Sequence, residues 1–429
     1  MPTSYFTYVN DTLYAEGVSL TEIAEKYGTP VYVYSKAALT RNYLAYDTAC
    51  RQYHHPDAPA LICYSVKSNS NLAVLKILND LGAGFDIVSG GEFARVLAAG
   101  GDPGKVIFSG VGKTASEIRF ALEHDIFCFN IESTAELYRI NDIAGEMGVK
   151  ARVAFRVNPD VDPQTHPYIS TGLKESKFGV AFEDALACYE LAAAMPHINI
   201  TGIACHIGSQ LQDDAPLLEA FDRLAHLFDQ LVAKGIEPGH IDIGGGIGIT
   251  YNAETPVTVP DYLAHLYSRI DAWRKTHHAG RPIRLALEPG RSISGNAGIL
   301  LTEIQYLKPG AVKNFVVVDA AMNDLLRPSI YNAWHNVLPV RKRPDAAVTY
   351  DIVGPICESG DWLARERALS VESGDLLAIL SAGAYGMVMS SNYNTRGRAA
   401  EVIVDNNETH LVRRRETAED LFAFENTIP

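Results

Sequence analysis

Lys67 closes an apolar run in "CYSVKSNSN", residues 63–71, where a buried strand would pass into a loop. Most lysines are solvated, but an amine at a strand end inside a pocket is suited to covalent chemistry. "HIDIGGGIGITY" sets Gly244, Gly245 and Gly246 in a row after another apolar run. Glycines let backbone N–H groups approach an anion closely, the more so beside a helix N-terminus, so this stretch is expected to cradle a phosphate. "EPGRSISG" opens with Glu288, which leaves the apolar run "RLAL". An unpaired carboxylate is costly there, so Glu288 needs a positive partner, and a pyridinium nitrogen would serve.

"ACHIGSQ" contributes His206 and Ser209. The imidazole suits a satisfied core position, a metal site or a flat surface stacked on an aromatic cofactor. No second or third histidine follows a strand, so no metal is expected. "LLRPSIYNAWH" spaces Arg327 and Tyr331 one helical turn apart, and arginine grips carboxylates well. "GPICESGDWL" puts Cys357 before Glu358 and Asp361 in a loop. A thiol among acids stays protonated, which suits a proton donor better than a nucleophile. "SAGAYGMVMSSNYN" places Tyr385 in a turn of small residues, where its hydroxyl could reach a ligand.

These residues need elements to hold them. Between about residues 60 and 290 the chain alternates short apolar runs with amphipathic stretches. The runs "LICYSV", "GFDIV", "KVIFS", "IFCFNI", "ARVAFRV", "ITGIACH", "HIDI" and "IRLALE" are the expected strands. In "NLAVLKILNDLG", Val74, Leu75, Leu78 and Leu81 share one helical face and Gly82 stops it. Eight βα units are what a (β/α)8 barrel of the TIM type requires; doubly wound sheets alternate in the same way, but barrels keep their active sites at the C-terminal ends of the strands. Lys67, His206, the glycine row and the "EPGR" segment all fall there. After residue 310 short β-branched runs with turns between them indicate a separate all-β domain. The boundaries read as 1–35 for an N-terminal segment joining the β domain, 36–285 for the barrel and 286–429 for the β domain.

With 429 residues, 47% hydrophobic and 21% charged, the chain has the composition of a soluble globular protein. Its formal charge of −14 argues against nucleic acid, which calls for a clustered basic face. The run Arg413-Arg414-Arg415 reads as a solvated face. Six cysteines without CxxC or framework spacing fit a reducing compartment. The N-terminal residues lack the pattern of a signal peptide and no stretch is long enough to span a membrane, so a cytoplasmic location is expected.

Taken in order, "YSVKSN", "GFDIVSGGE", "HIGSQ", "GGGIGITY", "EPGR", "RPSIY", "CESGD" and "GAYGMVMSSNYN" resemble the alanine-racemase-like, fold-type-III family of pyridoxal-phosphate enzymes over roughly residues 10–410. The resemblance implies pyridoxal 5'-phosphate bound covalently through Lys67, with His206 stacked on its ring and Glu288 at its pyridine nitrogen. It implies a phosphate site from Gly244, Gly245, Gly246, Ser209, Gly290 and Arg291. Arg291, Arg327 and Tyr331 would hold the substrate's distal carboxylate, Glu358 its distal ammonium, and Tyr385 would touch both cofactor and substrate. Cys357 would donate the proton from the partner subunit of a homodimer with shared active sites. The implied reaction is decarboxylation of meso-2,6-diaminopimelate to L-lysine and CO2. Ornithine, arginine or carboxynorspermidine are the alternative substrates. The distal Arg–Glu pair favours the first, because an arginine repels the bare ammonium of ornithine.

Overall fold

A computed structural model of the chain describes residues 5–162 and 177–429. Two compact units emerge: Asn42–Ile249 with Thr255–Ser292, and Met1–Arg41 with Thr250–Glu254 and Ile293–Pro429.

The first unit is a closed parallel barrel. Its strands are β1 (Leu61–Ser65), β2 (Gly84–Ile87), β3 (Val106–Phe108), β4 (Cys128–Ile131), β5 (Ala151–Asn158), β6 (Ile198–Ala204), β7 (His240–Asp242) and β8 (Arg284–Leu287). Each pairs in parallel with the next, and β8 pairs with β1 to close the ring. All eight expected strands are present, so the (β/α)8 reading is borne out. Most of their residues are buried, as a sheet covered by helices on the outside and packed within requires. β8 spans the expected boundary at 285/286, and its pairing with β7 and β1 groups it with the barrel.

Capping starts the helices that follow. Asn71 accepts from the Ala73 amide, Ser89 from Glu92, Thr114 from Glu117 and Ser133 from Glu136. Each cap satisfies a backbone donor that the first helical turn leaves without a partner. Val74, Leu75 and Leu78 turn their face inward as expected, and Gly82 adopts φ +95° just beyond that helix.

The second unit is mainly β. Val31–Ser35 lies between Gly298–Lys308, with which it is antiparallel, and Ala400–Asp405, with which it is parallel. The N-terminal segment is therefore a central strand of the C-terminal sheet. Leu13, Ile23, Val31, Val33, Ile299, Leu301, Val402 and Val404 form one core across it. The start of the Lys36–Tyr53 helix is tied to this unit: Glu16 Oε1 accepts from Ser35 Oγ and the Ala37 amide. Seven described strands of this unit lay outside the sequence reading: Phe6–Val9, Thr12–Ala15, Val18–Ser19, Gly298–Lys308, Val337–Pro339, Trp362–Leu369 and Glu408–Arg413. Of the arginine run, Arg414 is exposed as expected and pairs with Asp420, Arg413 pairs with Glu416, and Arg415 departs from the solvated reading, half-buried and donating to the Pro30 carbonyl at 2.8 Å. Among the described residues no helix is long and apolar enough to cross a membrane.

Candidate active site

Lys67 sits in a single 3-10 turn, Val66–Ser68, directly after β1. Its Nζ donates to Asp86 Oδ2 on β2 at 2.8 Å, and Asp86 is fully buried. Ser65 Oγ donates to the same carboxylate oxygen at 2.8 Å. His206 follows β6 and Glu288 follows β8, both at the same end of the barrel. Lys67, His206, Glu288, Asn130, Ser109 and Arg156 line a cavity of about 400 Å³ there, within the range usual for small-molecule sites.

Glu288 lines this cavity, and two further acids lie next to lining residues, Asp86 bonded to Lys67 and Asp242 to Asn130. Asp86, Asp242 and Glu288 are all buried. Burial pushes the Glu288 carboxyl well above the ordinary range; the Asp242 and Asp86 charges push the same way and Lys67 opposes them. Burial also raises Asp242, against hydrogen bonds from Asn130 and the Gly244 amide at 3.0 and 2.8 Å. Asn130 Nδ2 and Ser109 Oγ each lie 3.4 Å from Glu288 Oε1. The expected positive partner of Glu288 is thus not another strand-end side chain, and the cluster is short of positive charge. His206 shows the opposite behaviour. Burial, then Arg156 and Lys67, hold its pKa well below the usual value, so the ring is neutral near pH 7. Its Nδ1 accepts from the Gly245 amide at 3.3 Å, which puts the ring proton on Nε2.

The glycine row lies beside these groups. A Cβ at Gly245 would come within 2.2 Å of the Glu288 carbonyl oxygen, and Gly246 has φ +126°. No helix N-terminus follows, contrary to expectation. The next helix begins at Val259, because the loop instead pairs with the segment after β6 through a parallel bridge between Leu211 and Ile247. In that segment Ser209 Oγ accepts from Arg291 Nε and Nη2 at 3.3 and 3.2 Å. Arg291 is buried and opens the short helix Arg291–Ser294 after Gly290.

The remaining candidates belong to the β unit. Arg327 and Tyr331 bound a five-residue helix, with Arg327 buried. Cys357 and Glu358 are exposed in a loop. The Cys357 amide donates to Asn394 Oδ1 at 2.8 Å, and Glu358 Oε1 accepts from the Tyr393 hydroxyl at 2.6 Å. Ser329 Oγ donates to the Gly360 carbonyl at 2.7 Å, so the Arg327 helix and the Cys357 loop are neighbours. Asp361 braces this loop by accepting from the Met322 and Ile356 amides. Tyr385 is half-buried in its turn at φ +55°.

The model of the pyridoxal-dependent decarboxylase, pyridoxal binding domain family matches residues 45–295. The diaminopimelate decarboxylase of Pseudomonas aeruginosa is 55% identical over 424 residues, which cover 99% of both chains. The chain belongs to the diaminopimelate decarboxylase family. The crystal structure of the M. jannaschii diaminopimelate decarboxylase in complex with L-lysine matches with a TM-score of 0.94 at 38% identity, covering 99% of this chain and 98% of that one. The Helicobacter pylori diaminopimelate decarboxylase, also with L-lysine, matches at 0.88 and 40%, covering 95% and 99%. The family assignment bears out the resemblance read from the motifs, and with it dependence on pyridoxal phosphate.

The barrel residues fit that cofactor. An amine, a neutral flat ring and the buried Glu288 carboxyl line one cavity, with Asp242 beside Glu288, and these acids would favour a protonated ring nitrogen over a neutral one. Asp86 Oδ1 and Asn130 Oδ1 are buried without a hydrogen-bond partner among the described residues, and Asn130 lines the cavity, so polar capacity remains there. The glycine loop, Ser209 and Arg291 offer the backbone approach and positive charge a phosphate needs. Asp86, Asn130 and Asp242 escaped the sequence reading. Each lies inside an apolar strand run, and its spacing alone does not distinguish it from a tolerated interior polar residue.

Proposed function

We propose that this chain removes one carboxylate of meso-2,6-diaminopimelate as CO2 and leaves L-lysine. The observation that carries the substrate choice is the buried guanidinium of Arg327, a fixed cation suited to the carboxylate at the far end of diaminopimelate. Glu358, exposed in the loop that also carries Cys357, supplies the anion for the ammonium on the same carbon from across the dimer. Ornithine ends in a bare ammonium, which Arg327 would repel. Product L-lysine requires that the carboxylate lost be the one on the D-configured carbon.

Pyridoxal phosphate, when bound, supplies the electron sink for the carbanion left by loss of CO2. Lys67 would hold it covalently, Glu288 would keep the proton on its ring nitrogen, and His206 would offer it a neutral flat ring. Gly244, Gly245, Gly246, Ser209, Gly290 and Arg291 bind the phosphate. Arg291, Arg327 and Tyr331 bind the distal carboxylate, Glu358 the distal ammonium, and Tyr385 contacts both ligands. The Cys357 thiol delivers a proton to the former α-carbon. Cys357 and Glu358 are both exposed, and an acid that works away from water needs a second surface over it. That supports a homodimer in which the partner subunit's site receives this loop. Five of the six cysteines are buried as free thiols, which supports a reducing, cytoplasmic setting.

The test is CO2 release by the cofactor-saturated protein with meso-diaminopimelate, ornithine and arginine side by side. Release from meso-diaminopimelate alone, with L-lysine formed, is expected; turnover of ornithine would discard the distal-pocket reading. Cys357→Ala is expected to lower kcat about a hundredfold with KM within about threefold of the parent. Steady-state CO2 release measures this, and an unchanged kcat would remove Cys357 as the proton donor.

A further inference from the structure

His335 is fully buried four residues beyond the Arg327–Tyr331 helix, and both of its ring nitrogens are engaged. Nδ1 lies 2.8 Å from the Leu380 carbonyl oxygen, and Nε2 lies 3.1 Å from Arg327 Nη1. A carbonyl oxygen only accepts and a guanidinium only donates. The ring therefore carries its proton on Nδ1 and presents a lone pair at Nε2. An imidazolium would set N–H against N–H, so this position is built for the neutral ring in one tautomer. Tyr251 completes the mount. Its ring lies 4.8 Å from the Arg327 guanidinium and packs edge-on to His335 at 5.3 Å and 84°. The main chain of His335 is held as well: its carbonyl accepts from Arg367 Nη2 at 3.3 Å, and the neighbouring Asn336 carbonyl accepts from the Leu380 amide at 2.8 Å.

We propose that His335 is a positioning residue for substrate selection, fixing the Arg327 guanidinium, with Tyr251 beneath it, as a preorganised receptor for the distal α-carboxylate. The inference rests on the reading of Arg327 given above. An arginine side chain has many rotamers, and ordering it at the moment of binding weakens the complex. His335 and Tyr251 order it beforehand. The effect therefore falls on binding of any ligand that carries the distal amino-acid group, product as well as substrate, and not on the chemical step at the other end of the molecule.

Three variants of the cofactor-saturated enzyme test this by KM and kcat for meso-diaminopimelate and by the Kd for L-lysine. His335→Asn keeps a donor near the Leu380 carbonyl but is too short to reach Arg327. It is expected to raise KM and the L-lysine Kd in parallel by about tenfold, with kcat changed by less than about threefold. His335→Gln, whose amide oxygen replaces Nε2 as the acceptor, is expected to recover most of that loss. Equal impairment by Asn and Gln would reduce His335 to a packing role and overturn the proposal. Arg327→Ala separates the two readings. If it raises KM and His335→Asn does not, only the role of His335 fails; if it leaves KM unchanged, the distal-carboxylate reading itself fails. Should His335→Asn not fold, Tyr251→Leu removes only the ring under the guanidinium. It is expected to raise KM about threefold, and no change would count against the mount.

Discussion

Lys67→Ala is expected to abolish decarboxylation, lowering kcat/KM by more than about a thousandfold, because it removes the amine proposed to hold the cofactor. The same change removes a cation from a fully buried carboxylate, since Lys67 Nζ is 2.8 Å from Asp86 Oδ2. Breaking a buried pair costs about 3–5 kcal/mol, and the one-third exposure of the Lys67 side chain brings the expectation down to about 1–3 kcal/mol. Loss of activity alone would therefore be ambiguous between chemistry and folding. Lys67→Arg resolves it. A guanidinium keeps the charge beside Asp86 but stays protonated and cannot condense with an aldehyde. The Arg variant should melt near the parent temperature and still lose turnover, together with the cofactor that borohydride fixes to the parent protein. Retention of borohydride-fixed cofactor in either variant would move the covalent attachment away from Lys67.

The barrel was legible because its strands announce themselves twice. Each is a short apolar run, and each is followed by a polar or glycine residue where a strand hands over to a loop. The structure shows that those strand-end residues have different roles. Ser89 caps a helix, Glu132 pairs with Arg156 at 3.1 Å, and Asn158 accepts from the Asp160 amide. Of that set only Lys67, Gly110, His206 and Glu288 line the cavity. Position at a strand end therefore narrowed the candidates, and the ordered motifs selected among them.

The β unit was harder to read for a physical reason. Gly298–Lys308 follows the barrel's last strand after only a short helix and a 3-10 turn, ahead of residue 310, from which the β texture was read. Trp362–Leu369 carries Arg365 and Glu366 exposed and side by side and Arg367 buried, which breaks the apolar alternation. His335 and Tyr251 were invisible for another reason: their value lies in meeting Arg327 across the fold, and no local spacing encodes that meeting. Asp242 sits two residues before the glycine row, yet nothing in "HIDIGGG" says that its carboxylate turns toward Glu288.

That acidic pair leads to the second large effect. In the cofactor-free barrel Glu288 is buried near Asp242 and Asp86, and its carboxyl is pushed well above the glutamate value of 4.5. The folded state then holds a proton that the unfolded chain releases, so stability is greatest below the unfolded pKa and falls as pH rises above about 4.5. Glu288→Gln removes that liability, because a neutral amide keeps the shape without the charge. The cofactor-free variant should melt no lower than the parent near pH 8, and its melting temperature should depend less on pH over the range from 5 upward. The cofactor-saturated variant should behave oppositely. A pyridinium nitrogen turns the excess of acid into an asset, and a glutamine cannot stabilise its charge. An electron sink that has lost the proton on its ring nitrogen is weaker, and kcat is expected to fall by about a hundred- to a thousandfold. Scanning calorimetry of the cofactor-free protein and CO2 release by the loaded one give the two readouts. A Gln variant that is both less stable without cofactor and fully active with it would show that Glu288 is a structural acid, and that the ring nitrogen is held by another group.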